Sequence, residues 1–572
     1  MDGTTFICLM MTGPLGWRWP LRFTLARIVQ LPVGRSKTMK KKRHESLMRD
    51  SAAPSMPLAL AQAQQLASQA RFDDFLVNCQ QIIDRCSDDP DTLLSVGSLL
   101  FSFGFLSAAR ACFGRVCTVA PNDLRPLANL ANLAREAGEH AESRRLYGAL
   151  LERLPDHLVI RRNALVSLEY DPEVPDAERV AHARAWGNWA IGKTGGMRTR
   201  PALRSLADRP LRVAYVSSDF CQHTVGLLVK DVLVAHDPER VKTFAYSAGQ
   251  VSDWVTAAIR IACRFREVAA LDDVALAEQI RQDKIDVLVD LSGHTGGSRL
   301  TVFAHRPAPV QVSWLGYFAT TGLSVMDAVL LDDWHAPNGS EAQFVESVIR
   351  LPGGRFCYTP VPFAPAEVVP PPCVANGYVT FGCFNNTAKL NAGVYKAWAE
   401  ILAAVPHSRL VLKWRTLQDA GLCQSVREAF GKLGINPERI ELRGASFHVD
   451  VLKEYADIDI ALDPFPFTGG LTSCEALWMG VPVVTWPQSR VVSRQTFAFL
   501  SAIGLPKLAA WSRDDYVRIA TTLAGDIECL QALRNGLRQR MQTSPLCDVA
   551  AFTRALEDTL LALVQKIAAS TL

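Results

Sequence analysis

Apolar and polar positions change their period twice along this 572-residue chain. Between residues 56 and 157 the apolar residues fall at helical spacing, and a small set of them recurs every 34 residues. Gly104 returns as Gly138, Phe113 as Tyr147, Pro121 as Pro155, and Val96-Gly97 as Leu130-Ala131; Ala70 holds the Gly104 place one repeat earlier. Such a period predicts stacked antiparallel helix pairs. Small residues sit where the helices cross, an aromatic ring fills the gap between them, and a proline ends the second helix. The first unit, 56–89, matches least well. A short solenoid of this kind needs a cap, which the next domain is expected to supply.

From Leu211 the pattern shifts to short apolar runs alternating with amphipathic helices. Strands are predicted at 211–216, 241–246, 285–291, 310–314 and 328–331, with helices at 225–235, 251–263 and 274–282. A proline-rich stretch, 360–372, interrupts the alternation. It then resumes with strands at 379–384, 410–414, 440–442 and 458–462, helices at 392–404, 421–433 and 449–455, and a closing helix at 549–568. Alternation at this spacing means parallel, doubly wound sheets. The expected division is a basic tail (1–54), a repeat domain (55–169), a helical connector ending in a polar, basic loop (170–209), and a first α/β lobe (210–360). A linker (361–376), a second α/β lobe (377–548) and a final helix (549–572) follow. Two such lobes in tandem leave a cleft between the carboxyl ends of their strands, where ligands bind.

The net charge of +4 comes from the tail. Residues 1–50 carry ten Lys/Arg against three Asp/Glu, and the remaining 522 residues sum to −3. The basicity therefore predicts no nucleic-acid surface. No apolar stretch reaches the length of a bilayer span, and the tail lacks the order of a secretory signal. Lys40-Lys41-Lys42-Arg43 reads as a solvated cluster, and Met39, Met48 and Met56 are alternative starts. Fourteen cysteines without a CxxC pair suit a reducing cytoplasm better than disulfides or zinc.

The richest chemistry lies in Asp459–Pro482. A buried strand feeds Gly469-Gly470, and a helix follows, with Thr472 expected as its cap. The free N–H groups of that first turn and the helix dipole favour an anion, with Gly470 and Ser473 expected at the same site. Glu475 is expected on the first turn, where its carboxylate can accept from a ribose diol. His223 follows the first strand of the first lobe and faces the cleft, suited to a general base or a phosphate contact. Lys389, with Asn385-Asn386 just before it, follows the first strand of the second lobe; a cation there can neutralise a diphosphate leaving group. His294 and Thr295 in Asp290-Leu-Ser-Gly-His-Thr, and Tyr317 in Trp314-Leu-Gly-Tyr, end two further strands and are expected to line a sugar site. Asp457-Ile-Asp459 has the form of a metal-binding DxD, but it lies at the start of a strand, away from the cleft, and reads as structural.

Together these segments resemble the O-linked N-acetylglucosamine transferase family in its bacterial, SPINDLY-like form, glycosyltransferase family 41. The resemblance covers about 90–560. It rests on Val216–Phe220 with His223, Asp290–Thr295, Arg306-Pro-Ala-Pro-Val-Gln-Val-Ser-Trp-Leu-Gly-Tyr317, Asn385-Asn386 with Lys389, Ile458–Pro466 and Thr472–Pro482. It implies an α/β GT-B fold of two Rossmann-like domains after an all-α tetratricopeptide repeat domain. It also implies a UDP-sugar donor, no metal or other cofactor, inversion at the anomeric carbon, and Ser/Thr acceptors on proteins held by the repeat groove. By position, His223 and Lys389 take the active-site roles, Asn386 lies near the nucleotide, and Thr472, Ser473 and Glu475 grip phosphates and ribose.

Departures from the family pattern cluster beside the donor site. Asn-His-Pro is Gln222-His223-Thr224 here, Gly-Tyr-Pro-Gly is Gly316-Tyr317-Phe318-Ala319, Asn-Gly-Gly-Thr-Thr is Thr468-Gly-Gly-Leu471-Thr472, and the family Asp is Glu475. Two other readings stay open at this point. One is a repeat scaffold with a decayed transferase module. The other is a GT-B enzyme with another donor or an Asn acceptor. The sequence leaves the donor sugar, the acceptor and the oligomeric state undetermined.

Overall fold

The computed structural model describes residues 56–86 and 88–571; the basic tail lies outside the described residues. Three helix pairs open the fold: Met56–Ser68 with Phe72–Arg85, Pro90–Ser102 with Leu106–Val119, and Arg125–Glu136 with His140–Arg153. The turn inside each pair needs a left-handed residue, and the repeat supplies it. Ala70, Gly104 and Gly138 have φ of +58°, +87° and +78°. Only glycine takes that conformation without a steric penalty, which explains why Ala70 marks the weakest unit. Gly97 is small because a Cβ there would lie 2.7 Å from the Phe113 ring. Helices Leu158–Tyr170 and Asp176–Lys193 continue the stack towards the first lobe.

The first lobe is a seven-stranded parallel sheet: β1 Leu211–Ser217, β2 Val241–Ser247, β3 Arg264–Glu267, β4 Val287–Asp290, β5 Val310–Trp314, β6 Ala328–Leu331 and β7 Ser347–Arg350. Its order is β3-β2-β1-β4-β5-β6-β7. The second is a five-stranded parallel sheet: β8 Thr380–Cys383, β9 Arg409–Lys413, β10 Ile440–Arg443, β11 Ile460–Leu462 and β12 Val483–Val484, in the order β10-β9-β8-β11-β12. The inner strands are buried and aliphatic, as parallel sheets covered on both faces require. Strands β3 and β7 have no sequence counterpart in the pattern above because they are partly exposed edges, Arg-Phe-Arg-Glu and Ser-Val-Ile-Arg.

The helix Val549–Thr571 leaves the second lobe and packs on Thr224–Ala235 of the first. Glu557 fixes it there. Its carboxylate accepts from His236 Nδ1 (3.0 Å), the Asp237 amide (2.9 Å) and Arg240 Nη1 (2.8 Å).

The repeats are capped by the second lobe. Their inter-helix turns press on its backbone: a Cβ on Gly104 would lie 2.4 Å from the Arg415 carbonyl oxygen, and one on Gly138 would lie 2.6 Å from that of Leu390. Arg415, 6% exposed, donates to the Phe101 carbonyl and the Glu136 carboxylate, both at 3.0 Å. Thr387 Oγ1 donates to the Glu136 carbonyl at 2.7 Å, and Asp419 accepts from the amide and hydroxyl of Ser107. Removing one partner of a buried ion pair strands the other, at a cost of about 3–5 kcal/mol. Arg415→Met is therefore expected to lower stability by about 3 kcal/mol in urea unfolding followed by tryptophan fluorescence, whereas Arg71→Met, in an exposed i,i+3 pair with Asp74, leaves the midpoint in place.

Candidate functional site

Carboxyl ends of strands from both lobes meet across one cleft. On the first-lobe side β1 runs into the 218–223 loop, and His223 caps the helix Thr224–Ala235. Its Nδ1 accepts from the Val225 amide at 3.3 Å. With Nδ1 accepting, the neutral ring carries its proton on Nε2 and presents a donor. His223 keeps 22% of its side chain exposed, and Asp219 stands 3.7 Å from Nδ1.

Next to it, Gln222 reaches the second lobe. Its Oε1 accepts from Trp254 Nε1 (2.9 Å), and its Nε2 lies 3.4 Å from His448 Nδ1. His448 Nε2 in turn is 2.6 Å from Glu475 Oε1. Burial opposes protonation of His448, but the Glu475 carboxylate outweighs it and raises the imidazole pKa. A polar chain thus crosses the cleft from Trp254 to Glu475. It also corrects the expectation for Glu475, which lies on the second turn, 3% exposed, with its carboxylate already engaged.

On the second-lobe side β11 ends at Asp463, whose Oδ1 accepts from the Gly469 amide (2.6 Å) and whose Oδ2 accepts from Thr485 Oγ1 (2.7 Å). This pins the turn that feeds the helix Leu471–Trp478. Its cap is Gly470, without a side-chain hydrogen bond, and Thr472 lies inside the helix. Thr472 Oγ1 instead donates to Asn385 Oδ1 at 3.2 Å. The Ser473 amide turns back to the Gly470 carbonyl at 3.0 Å, while the Leu471 and Thr472 amides make no hydrogen bond among the described residues. A Cβ on Gly470 would come no closer than 3.5 Å to any neighbour, whereas one on Gly469 would lie 2.1 Å from Ser473 Oγ. Glycine at 469 is thus a packing need, while a side chain at 470 would only come into ordinary contact with Gln495. Ser473 is 3% exposed and shares a hydrogen bond with Thr496 (2.8 Å), so its side chain braces the helix from below.

Lys389 ends the short 3-10 turn Thr387–Lys389, which Asn386 caps by accepting from the Ala388 amide at 2.9 Å. The ammonium donates to Asn385 Oδ1 (2.8 Å) and the Thr468 carbonyl (2.9 Å), and it sits 4.6 Å from the Phe467 ring centre. Burial lowers its pKa from 10.5 to about 8, with Asp463 pulling the other way. Asn385 therefore links Lys389 to the 471–478 helix. The sequence singles out its neighbour Asn386, which serves the local turn.

Two expected sugar-site residues are buried in the fold. His294 is 1% exposed. Its Nε2 donates to the Thr321 carbonyl (2.9 Å), its ring meets Trp186 at 4.4 Å, and burial holds its pKa down at about 3. Tyr317 is 4% exposed and packs beside Phe318. Phe318 meets Phe467 edge-on at 4.6 Å, and Tyr170, the last residue of its helix, meets Phe467 at 4.5 Å. Repeats, first lobe and second lobe therefore join in one aromatic cluster that touches Lys389. Thr295 bonds within its own loop, to the Ser292 carbonyl (2.7 Å). Asp459 accepts from the Cys373 and Thr380 amides (3.0 and 2.8 Å), and Asp457 pairs with Arg443 (2.7 Å). Among the described residues no group of three or more His, Cys, Asp or Glu is placed to hold a metal ion, and no helix is long and apolar enough to cross a membrane.

The family model of glycosyl transferase family 41 matches residues 191–358 and 373–556. The chain is 38% identical over 413 residues to the probable UDP-N-acetylglucosamine–peptide N-acetylglucosaminyltransferase SPINDLY of Solanum lycopersicum, covering 70% of this chain and 44% of that one. It is 30% identical over 370 residues to the corresponding SEC protein of Arabidopsis thaliana, covering 62% and 37%. The chain thus spans less than half the length of these curated relatives. A lysine-to-methionine mutant of the Thermobaculum terrenum O-GlcNAc transferase superposes with a TM-score of 0.82 at 31% identity, over 92% of this chain and 100% of that one.

The burial of Lys389 has a direct readout. In 13C NMR of the reductively methylated protein, one lysine signal is expected to titrate near pH 8 and to vanish in Lys389→Met.

Proposed function

The chain belongs to glycosyl transferase family 41, and from that premise we propose that it is an inverting protein O-glycosyltransferase using a UDP-sugar, with UDP-N-acetylglucosamine as the donor. A Ser or Thr hydroxyl of a protein acceptor attacks the anomeric carbon. The bond from that carbon to the diphosphate oxygen breaks, UDP leaves with the bonding electron pair, and the hydroxyl proton passes to a phosphate oxygen of the UDP or to water. The observation that carries this reading is the placement of Lys389. A half-buried ammonium shares Asn385 with the start of a helix that has no side-chain cap. A desolvated cation and free amides aimed at one point stabilise developing negative charge far better than the same groups in water. This cation supplies the charge neutralisation that the reaction needs, so the transfer proceeds without a metal.

His223 acts as a positioning donor in this scheme rather than as the base. Its Nδ1 is occupied by the helix cap, so a neutral ring offers Nε2–H to a donor or acceptor oxygen. Tyr317, His294 and Ser473 shape the site from behind. Thr472 and Asn386 frame the nucleotide side, and Thr295 borders the cleft. The repeat groove holds the acceptor peptide. All 13 described cysteines are unpaired, which supports a reducing cytoplasm as the location.

UDP release from UDP-N-acetylglucosamine, with cell lysate as acceptor and EDTA present, is expected to be measurable in the wild type. Lys389→Met should lower it by about 10²–10³-fold with the fold intact. For the free enzyme, kcat/KM should fall as pH rises through about 8, where Lys389 loses its proton. Full turnover in Lys389→Met overturns the assignment; UDP binding without turnover on any UDP-sugar overturns the enzymatic reading.

A further inference from the structure

The first lobe has a second concavity on the side away from the cleft, at the amino ends of β1, β4 and β5. It encloses about 710 Å³, within the range of small-ligand sites. Arg198 and Arg204 reach it from the basic loop before β1, Arg281 and Lys284 from the turn before β4, and His305 and Arg306 from the turn before β5. No carboxylate lines it.

The charges are not balanced nearby. Asp286 is shared by Arg204 and Arg209 (2.8 and 2.6 Å), and Asp327 by Arg200 and Arg306 (2.7 and 3.0 Å). Glu278 stands 3.6 Å from Arg281. Arg198 bonds only to the Thr194 carbonyl. The Lys284 ammonium makes no hydrogen bond or ion pair among the described residues and the residue is exposed, while its backbone carbonyl accepts from Arg204. Five Arg and Lys side chains thus line the cavity, and no Asp or Glu does.

Two of these cations are also held in unfavourable backbone conformations. Lys284 and Arg306 have φ of +53° and +44°, a region that disfavours residues with a Cβ. Arg306 is 7% exposed, yet its Nε is buried without a partner. An unpaired buried donor costs about 1–3 kcal/mol, more when charged. Both residues follow a helix C-terminus, where the left-handed turn closes on the Arg281 and Phe303 carbonyls and brings the two cations to the cavity. Ile285, Pro307 and Pro309 give the same cavity an apolar wall.

We propose that this cavity is an anion site for a small organic phosphate, separate from the cleft. Arg198 and Lys284, which have no acidic partner, meet the phosphate oxygens from the rim, and Arg204 and Arg306, held by Asp286 and Asp327, add positive charge beneath them. The organic part lies against the prolines and Ile285. A site at the amino ends of the strands is remote from the chemistry, so its occupant is an effector rather than a substrate.

The probe is 1-naphthyl phosphate, titrated calorimetrically into the full chain. The wild type is expected to bind one equivalent at this site. The charge reversal Arg198→Glu with Lys284→Glu, both exposed positions, should weaken binding about tenfold or more, the loss of at least one charged contact, with the thermal midpoint unchanged. Lys389→Met should bind as the wild type does, which separates this site from the cleft, and 1-naphthol should not bind. Equal affinity in wild type and charge-reversed protein overturns the proposal. So does loss of binding in Lys389→Met alone, absence of binding altogether, or displacement of the probe by poly-glutamate at lower concentration than by pyrophosphate.

Discussion

The buried guanidinium of Arg415 joins the two halves of this molecule. It stands between the Phe101 carbonyl, the Glu136 carboxylate and its own lobe, while the left-handed turns at Gly104 and Gly138 bring backbone against backbone beside it. Such an approach excludes water, so every polar group at the junction must find a protein partner. Thr387, next to the Asn386 cap and two residues from Lys389, is one of those partners. The lysine is therefore held on a turn whose position is set by the repeats. Docking of the helical solenoid and alignment of the cleft are one structural event.

Desolvation gives Lys389 its character. The aromatic cluster of Tyr170, Phe318 and Phe467 draws one ring from each part of the chain and walls off the ammonium on one side. Phe318 is one of the residues by which this chain departs from its family pattern, and the structure gives it a packing role at the meeting of three units. Two other departures meet across the cleft. Gln222 and Glu475 lie at the two sides of the cross-cleft chain through His448, so residues unusual in sequence act together in space.

Much of the architecture is legible along the chain, because parallel sheets bury aliphatic runs and helix pairs repeat their glycine turns. The paired lobes, the 34-residue period and the cleft-facing loops after β1 and β8 all come from such local patterns. The missed or corrected features share a different cause. His294 looks the same in sequence whether it points to the cleft or to the core, and what decides is Trp186, on a helix of the connector. Glu475 is claimed by His448, 27 residues away. Thr472 looks like a cap because threonine favours that place, yet Gly470 takes it and frees Thr472 for Asn385. Partners remote in sequence carry no local signal.

The carboxylate of Glu557 bears on the order in which the protein is made. The helix that carries it is the last described element to leave the ribosome, yet its seat, with His236 and Arg240, belongs to the lobe made before Lys389. During synthesis the first lobe must wait with that seat uncovered while the whole second lobe emerges. The final helix then closes both lobes at once, so the cleft comes into being only when the chain crosses back to where its α/β half began.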